Sequence, residues 1–326
     1  MTQCAPDWIG HPGVLKRPSR SYILGSVATN EGIDVNRNRL GTAIALSILS
    51  FSAAAETHAA QSAAARAAMQ QAEASMVVTG DVSIDAAGHV IGYSLDQPEK
   101  IPAGVSGLIA QYVPRWAFEP VQKDGSPVPA KAGMRLRVVA HKTDETHYAV
   151  AIRSAAFSDP ANEVLPGASL SAKKMTPPHY PAAAYGIDGT VYLRLKIDRS
   201  GNVADEIAEQ VTLHAVGTTQ EMDAWRDALA KNTVKAAARW TFNPPTAGKL
   251  ASRAYWDVVV PVVYTMEGDP IPGYGQWEAY IPGPRQDIPW ADPDDSTRPH
   301  SSEAYAEGSP HLAGGGLHLL TPLTEG

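Results

Sequence analysis

The chain has 326 residues, enough for one large core or two small ones, and sets 27 Lys and Arg against 34 Asp and Glu for a net charge of −7. Ten of those acids and only two Arg lie between Glu267 and Gly326, a net of −8, so residues 1–266 come to −7 less −8, or +1. A near-neutral body with an acidic end argues against nucleic acid as a partner, and a single cysteine, Cys4, excludes a disulfide framework.

Residues 1–35 show neither helical nor strand periodicity and read as an unstructured upstream extension, with Val35 as a candidate true start. Arg37 and Arg39, an apolar run from Leu40 to Phe51 and then Ser52-Ala53-Ala54-Ala55 give the basic, apolar, small-residue order of a secretory signal over 36–60. The run holds Ser47 and Ser50, with Ser52 directly after it, and falls short of the roughly 20 apolar residues a membrane span needs. This favours a cleaved signal peptide over a short retained anchor, and either reading predicts export. Residues 61–76, rich in Ala and Gln and free of proline, predict a short helix.

From Val77 a pattern begins that returns later in the chain. Ile84, Asp85, Gly88 and Val90 match Ile197, Asp198, Gly201 and Val203 at an offset of 113, and Arg115, Trp116, Phe118 and Pro120 match Arg239, Trp240, Phe242 and Pro244 at 124. An internal repeat accounts for this. The first copy, 77–158, is the more degenerate: Pro102, Gly104, Gly107 and Pro114 interrupt its helix, and Tyr148 to Phe157 adds an extra strand. A linker follows over 159–176.

The second copy, 177–266, is better formed. Proline's fixed φ lets Tyr180 and Pro181 open a short helix running to Gly186. Gly189 precedes an alternating strand of Val191, Leu193, Leu195 and Ile197, and Asp198 to Gly201 makes the hairpin turn. Thr218 and Glu221 have capping-box spacing ahead of a helix with Met222, Trp225, Leu229, Ala236 and Trp240 on one face. A last strand spans Trp256 to Thr265. The predicted fold class is α+β: two repeats, each a small antiparallel sheet of about three strands with one or two helices, between disordered termini. Residues 267–326, rich in Pro, Gly, Ser and acid, predict a disordered tail in which Trp277, Tyr280 and Trp290 are isolated aromatics.

Pro177-Pro178-x-Tyr180-Pro181, Gly189-x-Val191, Ile197-Asp198-x-x-Gly201-x-Val203 and Arg239-Trp240-x-Phe242-x-Pro244 with Gly248 resemble, in order, the C-terminal domain of TonB-type energy transducers. The resemblance covers 177–266 and assigns Tyr180, Pro181, Gly189, Asp198, Gly201, Arg239, Trp240, Phe242 and Pro244 to the structural motif. It implies a periplasmic module whose exposed edge strand pairs with an extended segment of an outer-membrane, TonB-dependent receptor. Separately, the ten His include no pair at metal-ligand spacing with acids nearby and no Gly-rich phosphate loop occurs, so no cofactor, metal, small-molecule substrate or catalysis is expected. Members of the family keep an anchor with a polar His that couples to inner-membrane motor proteins, whereas here His58 falls beyond the apolar run. Pro177 stands where receptor-engaging members often have Gln.

The predicted partner-binding edge is the last strand, with Trp256, Val258, Val260, Val262 and Tyr264 as its contact residues. Its Pro261 cannot donate to a ladder, which places the strand at a sheet edge with the missing N–H turned outward or at a bulge. So apolar an edge needs a cover, either a partner's strand or the chain's own first half. Two other readings stand beside this one. A secreted structural envelope protein would use the strand only for internal packing. A hydrolase would use Ser171 and Lys174, a Ser-x-x-Lys match without the partner motifs of that class.

Overall fold

The computed structural model describes residues 72–142, 148–158, 167–266, 272–291 and 302–323. The readings for 1–35 and 36–60, and most of the predicted helix over 61–76, lie outside them. Where that helix does enter, the chain is already extended: β1 runs Glu73–Ile84, so residues 73–76 are strand. Their alternation with the following Val, Thr and Ile residues sets the period of two.

The amino-terminal half continues with β2 (Val90–Leu95), α1 (Ala103–Tyr112), the short β3 (Gln122–Lys123) and β4 (Ser126–Pro127), β5 (Ala130–Lys142) and β6 (Tyr148–Phe157). Pro102 sits at the N-cap of α1, and Pro114 lies in a single 3-10 turn after its end, so both prolines bound the helix instead of breaking it. In the carboxy-terminal half, β7 (Ser171–Lys174) leads to β8 (Gly189–Ile197), β9 (Val203–Leu213), α2 (Thr219–Ala237), β10 (Thr241–Asn243) and β11 (Trp256–Tyr264). The helix expected from Tyr180 to Gly186 is only one 3-10 turn, Ala182–Ala184. The predicted capping box forms in full on α2, with Thr218 and Glu221 each accepting from the other's backbone N–H. The buried face of α2 is Met222, Leu229, Thr233 and Ala237; Trp240 lies past the helix end, where its indole N–H donates to the Thr176 carbonyl at 2.8 Å.

Two small sheets do not describe the molecule. Nine strands form one antiparallel sheet in the order β13-β11-β8-β9-β12-β1-β5-β6, with β2 branching from β1. The joining strand, β12 (Glu278–Pro282), comes from the segment expected to be disordered: it pairs with β1 through Ser75↔Glu278 to Glu73↔Tyr280 and with β9 through Ile281↔Leu213. The last strand, β13 (His311–Leu312), comes from it as well. The disordered tail is therefore corrected for residues 272–291 and 302–323, which cross both halves. Tyr280 and Trp290 are buried, and of the three aromatics only Trp277 is exposed.

Each half has its own apolar core on the helix side of the sheet. One gathers Val191, Leu193, Leu195, Leu229, Trp240 and Trp256; the other gathers Met76, Val78, Ile109, Leu136, Ile152 and the edge-to-face trio Trp116, Phe118 and Phe157. The opposite faces of the strands carry the polar residues of the alternation. Residues of these faces from the two halves meet, Arg137 Nη2 donating to the Tyr192 hydroxyl at 3.4 Å with both side chains buried, and that layer positions the candidate site.

Candidate partner-binding edge

β11 pairs along its whole length with β8, from Trp256↔Ile197 to Tyr264↔Gly189. The side chains assigned to the edge point elsewhere than expected. Trp256, Val258, Val260 and Tyr264 are all at most 1% exposed, and Val262 packs on the same core. In an antiparallel strand the N–H and C=O of one residue face the same neighbour. Asp257 and Pro261 accept from Ala313 and Gly308 on the outer side, both at 2.9 Å, so the outward row is Asp257, Val259, Pro261 and Val263. Pro261 thus turns its missing donor away from β8, as its presence in an edge strand requires. The outward backbone groups are therefore those of Asp257, Val259, Pro261 and Val263, and the apolar alternation of β11 instead marks its core side.

The outer side of β11 is covered, though by neither expected occupant. The carboxy-terminal segment lies there, pairing Val258↔Leu312 and Val259↔His311 and adding the two flanking bonds from Gly308 and Ala313. Beyond β13 it crosses to the other half, where Phe118 bridges to Leu319 and the Leu320 N–H donates to the Ala117 carbonyl.

Upstream, the same segment fills the polar layer between the halves with Ser302, Glu303, Ala304 and Tyr305, each at most 8% exposed. Arg137 on β5, 3% exposed, donates through Nε to the Glu303 carbonyl at 2.9 Å and through Nη1 to Ser75 Oγ at 2.8 Å and Glu278 Oε1 at 3.1 Å. The Glu303 carboxylate accepts from the Tyr280 hydroxyl, with Arg285 4.0 Å away. Ser302 donates to Glu209, and Arg194 holds Asp257 in a bidentate pair at 2.6 and 2.7 Å. Burial opposes the charge on Arg137, yet Tyr192, Glu278, Tyr280 and Glu303 around it more than offset this and its pKa ends raised. Burial, then the Glu303 charge, pushes the Tyr280 hydroxyl up, so it stays protonated and donates. His311, stacked on Tyr305 at 4.9 Å, has its pKa lowered by burial and by nearby Arg135.

The motif residues play structural parts. Asp198 Oδ1 caps its turn by accepting from Ser200 and Asn202, and Gly201 sits at φ +82°, where a Cβ would lie 2.1 Å from the Phe242 oxygen. A Cβ on Gly189 would lie 2.9 Å from the Thr212 oxygen. The Tyr180 hydroxyl donates to the Ile187 carbonyl at 2.7 Å, and its ring meets Tyr264 edge-on. Pro181 precedes the 3-10 turn, Phe242 is buried, Pro244 packs near Gly201, and Arg239 is exposed. Ser171 and Lys174 occupy the exposed β7, not a linker, and stand opposite Asn243 and Thr241 of β10. Among the described residues no cluster of metal-ligating side chains occurs, and no helix is long and apolar enough to cross a membrane.

Fold and edge together define an α+β protein built on one long antiparallel sheet whose terminal full-length strand is thinly covered. Among known proteins, a stretch of 99 residues, 30% of this chain, is 32% identical to Protein TonB from each of two strains of Xanthomonas campestris pv. campestris. The match spans 38% of the length of those relatives. This partial likeness supports a TonB-like C-terminal domain. No protein-family profile matches the chain, and no solved structure matches it.

Proposed function

We propose that this is a TonB-like protein of the cell envelope that pairs the outer edge of β11 with an extended segment of an outer-membrane, TonB-dependent receptor. The observation that carries the reading is that, among the described residues, the outer row of β11 is held by two paired residues and two flanking bonds, while its inner side is paired over nine. A strand so covered offers main-chain donors and acceptors to a competing strand, and such addition draws its affinity from the backbone. The likeness to Protein TonB supplies the receptor class as the partner. The protein acts in the periplasm, after export directed by residues 36–60, and works as a binding module and not as an enzyme. Coupling to inner-membrane motor proteins would depend on those same residues.

The competing reading, an architectural envelope protein, is favoured by one observation: the chain's own tail already lies on the edge. One substitution separates the two. Val259→Pro removes an outward N–H and leaves the β8 side untouched, since the Val259 backbone groups face away from β8. Capture of synthetic periplasmic segments of outer-membrane receptors from the same cell should fall at least about tenfold, the loss of a strong hydrogen bond. Capture that is undetectable in the native protein, or unchanged by the substitution, contradicts the receptor reading.

A further inference from the structure

We propose that the segment 302–313 is an internal ligand: it occupies a peptide site running from the cleft between the halves onto the edge of β11, and a partner must displace it with an extended segment bearing its own carboxylate where Glu303 lies. This rests on the receptor reading and adds to it the chemistry of the segment and its control.

The site is defined by what it does to its occupant. At one end, Arg137 and Tyr280 hold one residue by two different groups, the guanidinium taking the Glu303 carbonyl and the phenol the carboxylate. Both holders are fixed by groups outside the tail: Ser75 and Glu278 orient Arg137, and the guanidinium lies 5.5 Å from the Tyr280 ring. A neutral residue at that position would leave the phenol, Arg137 and Arg285 facing an uncharged group in a buried layer, at a cost to affinity. In the middle, Tyr305 packs with its hydroxyl on the Leu312 carbonyl at 3.2 Å and its ring on His311. At the far end, backbone pairing fixes the chain to β11, and the Leu312 side chain packs on the core beneath it. The cleft therefore reads an acidic side chain, and the edge reads an extended backbone; the two lie about eight residues apart in the occupant. Covering an exposed strand with a removable segment also meets the aggregation liability of an apolar edge.

The probe is a fluorescein-labelled peptide with the sequence of residues 301–313, in native form and with Glu303→Gln. The protein is the full chain with Cys4→Ser, native in the tail or carrying Glu303→Gln. Binding of the native peptide should be about tenfold tighter to the Glu303→Gln chain than to the native chain, because the internal competitor is weakened by one charged hydrogen bond. The Gln peptide should bind about tenfold more weakly than the native peptide. In a second chain, Val259→Cys with His311→Cys places two cysteines directly opposite across the β11–β13 pair, at a separation a disulfide can bridge. Oxidised, this chain should bind no peptide, and reduction should restore binding, with near-ultraviolet circular dichroism verifying the same fold in both states. Equal binding by the oxidised and reduced forms, no binding by either open chain, or equal binding of the Glu and Gln peptides overturns the inference. Receptor segments that bind oxidised and reduced protein alike leave the receptor reading standing and remove the tail's control. A reduced chain that binds the tail peptide but no receptor segment does the reverse.

Discussion

The two halves share the order of a hairpin, a helix and a third strand, and they finish that third strand differently. In both, a hairpin closes on an Asp that caps the turn: Asp85 accepts from Ala87 and His89 as Asp198 does from Ser200 and Asn202. In both, the phenylalanine after the Trp donates its N–H to the turn glycine at 2.8 Å, Phe118 to Gly88 and Phe242 to Gly201. The outer side of β5 is then covered by the ten-residue β6, paired from Met134↔Phe157 to Lys142↔Tyr148. The outer side of β11 has two residues of β13. A similar hairpin-and-helix arrangement thus carries a long paired cover on β5 and a two-residue one on β11.

Several substitutions break or sharpen that contrast. The largest effect is expected at the polar layer where the halves meet. Arg137→Ala takes the cation from Glu278 and the donor from the buried Glu303 carbonyl and should cost about 3–5 kcal/mol in chemical denaturation, the range for breaking a buried ion pair. Next come the turn glycines. A Cβ on Gly88 at φ +88° would lie 2.0 Å from the Phe118 oxygen, as one on Gly201 would from Phe242 at 2.1 Å. Gly88→Ala and Gly201→Ala should each cost at least about 1–3 kcal/mol from backbone strain alone, and nearly equally if the halves are built alike. Thr218→Ala removes a cap that only the second half has and should cost about 1 kcal/mol, read from the same denaturation curves.

The smallest effect is pH dependence confined to the tail. Docking lowers the His311 pKa, so the released tail takes up a proton more readily than the docked one. Docking is at full strength above the ordinary imidazole value of 6.5 and is progressively lost as the pH falls below it. Amide exchange at Ala313, whose N–H is bonded to Asp257 when docked, should quicken from pH 7 to 5.5 more than its intrinsic rate predicts. His311→Gln should remove that excess.

Much of this could be read from the residues, because local signals carry it. Asp-x-x-Gly turns, the Thr218–Glu221 box and the alternation of β8 each name an element without reference to the rest of the chain. What escaped is long-range. β12 is five residues in a Pro- and Gly-rich stretch, too short for a period of two to stand out, and its partners lie about 70 and 200 positions away in sequence. Likewise, Arg135 and Arg137 alternate with Met134, Leu136 and Val138 as on any half-solvated strand. Alternation separates the two faces of a strand, but it does not say that two polar faces will be folded together over a third segment. Pro261 signalled a strand with one side turned away from its main partner, and that is where Pro261 lies. The alternating apolar side chains of β11 mark its core side, and so they are not on the outward row.

The most direct test compares one amide from each third strand. Val139 on β5 and Val259 on β11 both face outward, toward Ala151 and His311. If β6 is a permanent cover and β13 an exchangeable one, the Val259 amide should exchange at least ~100-fold faster than Val139 in the native protein, since local openings span the range from near zero to the global free energy. Glu303→Gln should then speed Val259 further and leave Val139 unchanged. Equal protection of the two amides, unmoved by Glu303→Gln, would contradict the account and leave the tail as a fixed part of the sheet.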